Sequence, residues 1–192
     1  MGNTGSQRTT ENGHLAQTDL ELVRHARRGD MGAFHGLVDR YASYLYGLAV
    51  SLVGNAADAE DAVQETLTGA FRGLRAFQER SSVKTWLTSI LVRQAARHFR
   101  RGGSSPAGVL PLDRAPEPAV VSATPGTDIR IDVRAAVQAL RPDHREVIVL
   151  REMQGLSYEE IAHVLEVPRG TVESRLFRAR RELQGLLKEY LT

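Results

Sequence analysis

Five of the seven prolines, Pro106, Pro111, Pro116, Pro118 and Pro125, fall between Gly102 and Thr127, together with Gly102, Gly103, Ser104, Ser105 and Gly126. Proline lacks the backbone donor a helix or sheet needs, and glycine and serine favour turns, so this stretch cannot continue a regular element. It divides the 192-residue chain in two, and residues 102–127 are expected to form a flexible linker.

On either side, apolar residues recur at three- and four-residue steps, as in Ala59, Ala62, Val63, Thr66, Leu67, Ala70, Phe71 and Leu74. That spacing is the signature of helices packed on one face. No run alternates with the period of two that a strand needs, and no Asn-Gly turn joins two such runs. The expected fold class is all-α, with helical domains over 19–101 and 128–192 and a disordered tail over 1–18. Glycine, proline and capping residues place helices over 19–28, 33–53, 58–74 and 83–101 in the first domain. In the second, helices follow over 129–140 and from Pro142 to the stop at Gly155, and then two short ones flank Val167-Pro168-Arg169-Gly170.

Composition removes several kinds of chemistry. With no cysteine there is no disulfide framework, thiolate zinc site or thiol nucleophile, and the six histidines show no pairing at ligand spacing. No metal, cofactor or catalytic residue is expected. No stretch approaches the roughly 18 apolar residues of a membrane span, and the polar start lacks the order of a signal peptide, so the expected location is cytoplasmic. The formal net charge is only +2, yet Lys84 and Lys188 are the sole lysines, so nearly all positive charge is the planar, bidentate guanidinium that suits phosphates and base edges.

Three constellations stand out. Ser157-Tyr158-Glu159-Glu160-Ile161-Ala162 reads as a capping box, followed by a tight turn and Thr171 as cap of a second helix, which is a helix-turn-helix. At about 100° per residue, Val172, Leu176, Ala179 and Leu183 form a buried stripe, whereas Ser174, Phe177, Arg178 and Arg181 point away. Arg169, Thr171, Glu173 and Arg175 lie in the turn or along the flank, so the second helix can meet phosphates and read the major groove. The second is the acidic helix start Asp58, Glu60, Asp61, Gln64 and Glu65, which complements the helix dipole and can dock on a basic partner surface. The third runs from Phe77 to Arg101. It interleaves Phe77, Trp86 and Phe99 with Arg80, Lys84, Arg93, Arg97, Arg100 and Arg101, and its loop holds Gln78, Ser81 and Ser82. Aromatic rings among cations suit the stacking of unpaired bases, although Trp86 also fits a helix core.

Taken together, the chain resembles the sigma-70 family of bacterial RNA polymerase sigma factors in its two-domain extracytoplasmic-function (ECF) form. The resemblance is carried by residues 58–66, by Thr85-Trp86-Leu87, and by Leu140-Arg141-Pro142 through the capping box to Gly170-Thr171-Val172-Glu173-Ser174-Arg175-Leu176-Phe177-Arg178-Ala179-Arg180. It implies that Asp58, Glu60, Asp61, Gln64 and Glu65 bind the clamp helices of the polymerase β′ subunit, with the β subunit as a further contact. It also implies that Phe77, Gln78, Arg80, Ser81, Ser82, Lys84, Trp86, Arg93, Arg97, Arg100 and Arg101 recognise and melt the −10 element. The −35 element would then be read by Arg169, Thr171, Glu173, Ser174, Arg175, Phe177, Arg178 and Arg181.

By the same resemblance the linker lies in the RNA-exit path, where about 26 residues at roughly 3.3 Å each can span some 80 Å. An anti-sigma factor is the implied partner, with the chain a monomer when free or in a 1:1 complex, and no membrane insertion. Four positions depart from the family pattern: Glu173 where lysine is common, Arg93 and Arg97 where asparagine and aspartate are common, and Glu166 where the turn often carries glycine. The rival readings are a stand-alone helix-turn-helix regulator, which would bind duplex DNA tightly without polymerase, and a protein-interaction adaptor, which would show no salt-dependent DNA affinity.

Overall fold

The computed structural model describes residues 18–101 and 127–190, and all of their regular structure is helical. Most of the expected tail and linker lie outside the described residues, as do the side chains of Arg100 and Arg101.

α1 (Asp19–Arg27) opens on a reciprocal cap: Thr18 accepts from the Glu21 amide and the Glu21 carboxylate accepts from the Thr18 amide. Gly29, at φ 97°, reverses the chain in a region that side chains rarely adopt. Asp30 caps α2 (Met31–Val53) by accepting from the Ala33 amide at 3.1 Å, so that helix starts ahead of the expected residue 33. α3 (Ala56–Gly73) likewise starts ahead of Asp58, because Asn55 is the cap and accepts from the Asp58 amide at 2.9 Å. A 3-10 turn (Leu74–Ala76) and a loop lead to α4 (Val83–Arg101), where Ser82 caps by accepting from the Thr85 amide at 3.0 Å. The four helices close around Val23, Leu45, Leu48, Leu52, Ala59, Ala62 and Leu91, all essentially inaccessible.

The second unit begins with α5 (Thr127–Ala139), which takes in Thr127 from the segment assigned to the linker. α6 (Pro142–Ile148) carries proline at its first position and runs into a π turn (Val149–Met153) that Gly155, at φ 70°, terminates. α7 (Tyr158–Leu165) has the capping box between Ser157 and Glu160, and it ends at Glu166, whose φ of 54° is the left-handed conformation. α8 starts at Arg169 and runs to Tyr190. It is therefore long rather than short, and Thr171 lies inside its first turn instead of capping it, its amide donating to Pro168 O at 2.9 Å. Val172, Leu176 and Ala179 are buried against Val147, Ile148, Leu150 and Ile161, and each large aliphatic side chain removed from water contributes about 1.5 to 3 kcal/mol.

The two units touch. The last carbonyls of α2 have no partner within their own helix, and the second unit supplies donors for them. Gln138 Nε2 donates to Ser51 O at 2.8 Å, and Arg145 Nη1 donates to Leu52 O at 2.8 Å. Arg145 is 8% exposed and its other terminal nitrogen donates to Gln138 O and to Leu140 O, so one guanidinium ties the end of α5 to the end of α2. α7 lies on α4, where Arg93 and Glu166 pair at 2.7 Å.

Candidate nucleic-acid and partner interfaces

The buried stripe of α8 leaves its other side in solvent, with Ser174, Arg178 and Arg181 exposed and Phe177 63% exposed. The Arg181 guanidinium lies 6.0 Å from the centre of the Phe177 ring, which keeps cation and ring on one surface. Not every predicted member of this set faces outward alone. Arg175 is turned toward Asp143 of α6 at 4.0 Å, and Arg169 lies between Glu159 of α7 and Glu173. Thr171 is half-buried, and its carbonyl accepts from the Ser174 hydroxyl at 3.0 Å. Arg180, which the sequence did not single out, holds α8 to the π turn through Glu152 at 2.7 Å.

On α3, Glu60, Asp61, Gln64 and Glu65 are exposed and Asp58 is half-buried. Asp61, Gln64 and Glu65 line one wall of an open groove of about 580 Å³, whose other wall is Gln94, Arg97 and His98 of α4. Glu60 is not among the groove residues. His98 reaches Asp58 at 3.3 Å, forty positions away in sequence, so local spacing could not reveal that pair. Among the described residues, no group of three or more histidines and carboxylates could hold a metal ion.

The loop between the 3-10 turn and α4 is fastened from α1. Arg27 Nε donates to Leu74 O at 3.0 Å, its terminal nitrogens donate to Phe77 O and to Glu79 Oε1, and Arg24 reaches the other Glu79 oxygen at 3.2 Å. Glu79 adopts the left-handed conformation at φ 58°, and those two arginines hold it there. The sequence reading missed Arg27 and Glu79, because their partners lie some fifty positions away. Phe77 was expected to stack an unpaired base, yet it is 6% exposed. It backs Trp86 in a stacked pair with centroids 4.7 Å apart, so it supports that ring rather than presenting its own. Ser82 is spent as the α4 cap, Lys84 lies 4.5 Å above the Tyr44 ring, and Gln78 and Arg80 are exposed, with Ser81 half-buried. Arg93 and Arg97 share one exposed side of α4.

Hydrogen bonds from Arg24 and Arg27 hold the Glu79 carboxyl below its ordinary value of 4.5. A group whose folded value is lowered stabilises the fold above the unfolded value and loses that contribution as pH falls through the folded one. Acidification below pH 4.5 should therefore release this loop, read as a change in Trp86 fluorescence that precedes global unfolding. Glu79→Gln should abolish that early step, and an unchanged profile would remove the role assigned to the carboxylate.

Two helical units, one of them ending in a helix-turn-helix with an exposed arginine face, define a DNA-binding protein of the helix-turn-helix class. The family profile for sigma-70 region 2 matches residues 37–104, and that for sigma-70 region 4 matches residues 130–183. The chain is 37% identical over 192 aligned positions to the RNA polymerase sigma-H factor of Pseudomonas aeruginosa, covering 90% of this chain and 97% of that protein. It is 36% identical to the ECF RNA polymerase sigma-E factor of Escherichia coli K12, over 88% of this chain and 93% of that one. Among solved structures, the sigma factor RpoE in complex with the anti-sigma factor NepR from Bartonella quintana matches with a TM-score of 0.63 at 34% identity, covering 81% of this chain and 96% of that chain. CnrH in complex with the cytosolic domain of CnrY matches with a TM-score of 0.67 at 27% identity, covering 89% and 97%. The chain belongs to the sigma-70 family, as an ECF RNA polymerase sigma factor, a group of non-enzymatic regulators of transcription initiation. No helix among the described residues is long and apolar enough to cross a membrane.

Proposed function

We propose that this chain joins core RNA polymerase through the acidic side of α3, reads the −35 element with α8, and recognises and melts the −10 element with the loop and α4. The observation that carries the reading is the presence, on one chain, of a helix-turn-helix with an outward arginine and phenylalanine face and a separate acidic groove wall suited to a basic protein surface. In this role Asp61, Gln64 and Glu65 meet the β′ clamp helices, flanked by Asp58 and Glu60. Ser174, Phe177, Arg178 and Arg181 reach into the major groove, where Phe177 suits a thymine methyl and Arg178 a guanine edge.

At the −10 element, opening costs a few kcal/mol per unstacked step. Capture of a base by the accessible part of Trp86 and the side chains of Gln78, Arg80 and Ser81 offsets about 1 to 3 kcal/mol per stacked base. Arg93 and Arg97 supply phosphate contacts. Glu160 of α7 neighbours Lys84 and Thr85, and Glu166 pairs with Arg93, so use of this face requires α7 to part from α4. An anti-sigma factor that holds the two units together would keep the chain inactive in a 1:1 complex, a partnership supported by the complexes in which its structural relatives were solved.

The test is run-off transcription with purified core polymerase on genomic fragments, with transcript 5′ ends sequenced. Discrete new starts that share two upstream elements support the reading, whereas tight duplex binding with no new starts would favour the stand-alone regulator. Within it, Arg178→Ala is expected to weaken −35 binding by about 1 to 3 kcal/mol and to relax the preference at one base pair. A variant that binds the same set of promoters with the same affinity would remove the base contact assigned to Arg178.

A further inference from the structure

A carboxylate on the reading side of a helix that enters a phosphate-lined groove is unfavourable unless something compensates it. At the start of α8 something does. Arg169 Nε lies 2.9 Å from Glu173 Oε1, one turn further along the helix, and Arg169 Nη1 lies 2.5 Å from Glu159 Oε1 on α7. The guanidinium is thus fixed between two helices, and Glu173 is fixed by it. Glu173 stays about half exposed, beside Phe177 and Ser174, and the bond to Arg169 takes Oε1 and leaves Oε2 as an acceptor.

A carboxylate only accepts hydrogen bonds. The base-edge donors of the major groove are the cytosine N4 amine and the adenine N6 amine, and adenine sets its N7 acceptor beside that amine, which repels a carboxylate. Guanine shows two acceptors and no donor there, so it is the base that Glu173 would reject most strongly.

We propose that Glu173 is a specificity-determining residue of the helix-turn-helix, accepting a hydrogen bond from a cytosine amine at one position of the −35 element, and that Arg169 is a positioning residue that holds it for that contact. The inference rests on the promoter-reading role proposed above. It gives Arg169 a different task from Arg178 and Arg181, since a guanidinium shared by Glu159 and Glu173 is not available to guanine. Hydrogen bonding to Glu173 and the charge of Glu159 both raise the affinity of Arg169 for its proton, as a guanidinium shared between two carboxylates should.

The experiment is selection from a promoter pool randomised across the −35 region, with holoenzyme formed from core polymerase and the full-length chain, either wild type, Glu173→Ala, Glu173→Lys or Arg169→Ala. Wild type should enrich cytosine over guanine at one position by about 5- to 150-fold, the range a good base contact provides. Glu173→Ala should flatten that position alone, Glu173→Lys should turn it toward guanine, and Arg169→Ala should reduce the cytosine preference while Glu173 is still present. Glu159, Arg169 and Glu173 are all solvent-exposed, and matching thermal melts would establish that the variants fold. A motif that is the same in wild type and all variants overturns this proposal and leaves promoter reading intact. A wild-type holoenzyme that selects no upstream motif overturns promoter reading, and this proposal with it.

Discussion

Replacing Arg145 with alanine is expected to lower stability by about 3 to 5 kcal/mol, since it strands buried acceptors that a charged donor had satisfied. The guanidinium serves Leu52 O, Gln138 O and Leu140 O, and at 8% exposure water cannot easily replace it. Burial disfavours its charged form, lowering its pKa, yet arginine keeps its proton at any ordinary pH, so the charge must be met by those carbonyls. Lysine should restore little, because a point-like ammonium cannot span three acceptors that a planar fork reaches at once. The effect should be divided unequally between the units. Two of the three carbonyls belong to the second unit, and the single tryptophan, Trp86, lies in the first. In urea denaturation, the circular-dichroism transition should therefore move further than the Trp86 fluorescence transition. Equal shifts would mean that the two units unfold as one, and no shift would mean that Arg145 is not the tie between them.

Asp61→Arg should separate core binding from promoter binding. Asp61 is exposed on the groove wall with Gln64 and Glu65, and a cation there would face a basic partner surface as a like charge, which costs several kcal/mol. The expected loss in affinity for core polymerase is about 100-fold or more, at about 1.4 kcal/mol per tenfold. Binding of the −35 duplex should be unchanged, because α8 lies on the other unit. Titration of labelled core polymerase measures the first quantity and a duplex shift assay the second. An Asp61→Arg chain that binds core polymerase as wild type does would remove α3 from the interface, and a parallel fall in duplex affinity would point to general damage to the fold.

Much of the local structure was legible because it is written within four residues. Ser157 with Glu160 is a capping box at a spacing of three, and it forms a reciprocal pair, whereas Thr18, assigned to the tail, proves to be the cap of α1. The stripe of Val172, Leu176 and Ala179 follows from helical period alone, and those side chains are buried. Where boundaries moved, a competing cap was the reason: Asn55 took the role expected nearer Asp58, and Asp30 started α2 ahead of residue 33. Thr171 was misplaced because Pro168 could end the turn and let α8 start earlier.

The interfaces were legible only as sets of residue types. Composition and spacing identified an acidic helix, a basic and aromatic segment and an arginine-faced helix, since charge and period can be read along a chain. They could not determine which members would be drawn into the fold: Phe77 beneath Trp86, Arg175 onto Asp143, Ser82 into a cap, and Arg169 between two glutamates. Nor could they pair Arg27 with Glu79, His98 with Asp58, Arg93 with Glu166 or Arg145 with the end of α2. The sequence by itself determined the helices, the division into two units and the helix-turn-helix, because caps and apolar period act over one turn of chain. Only the tertiary structure decided how α7 meets α4 and which charges remain for a partner, because those contacts join residues separated by up to about ninety positions, whose proximity depends on how every intervening helix has packed.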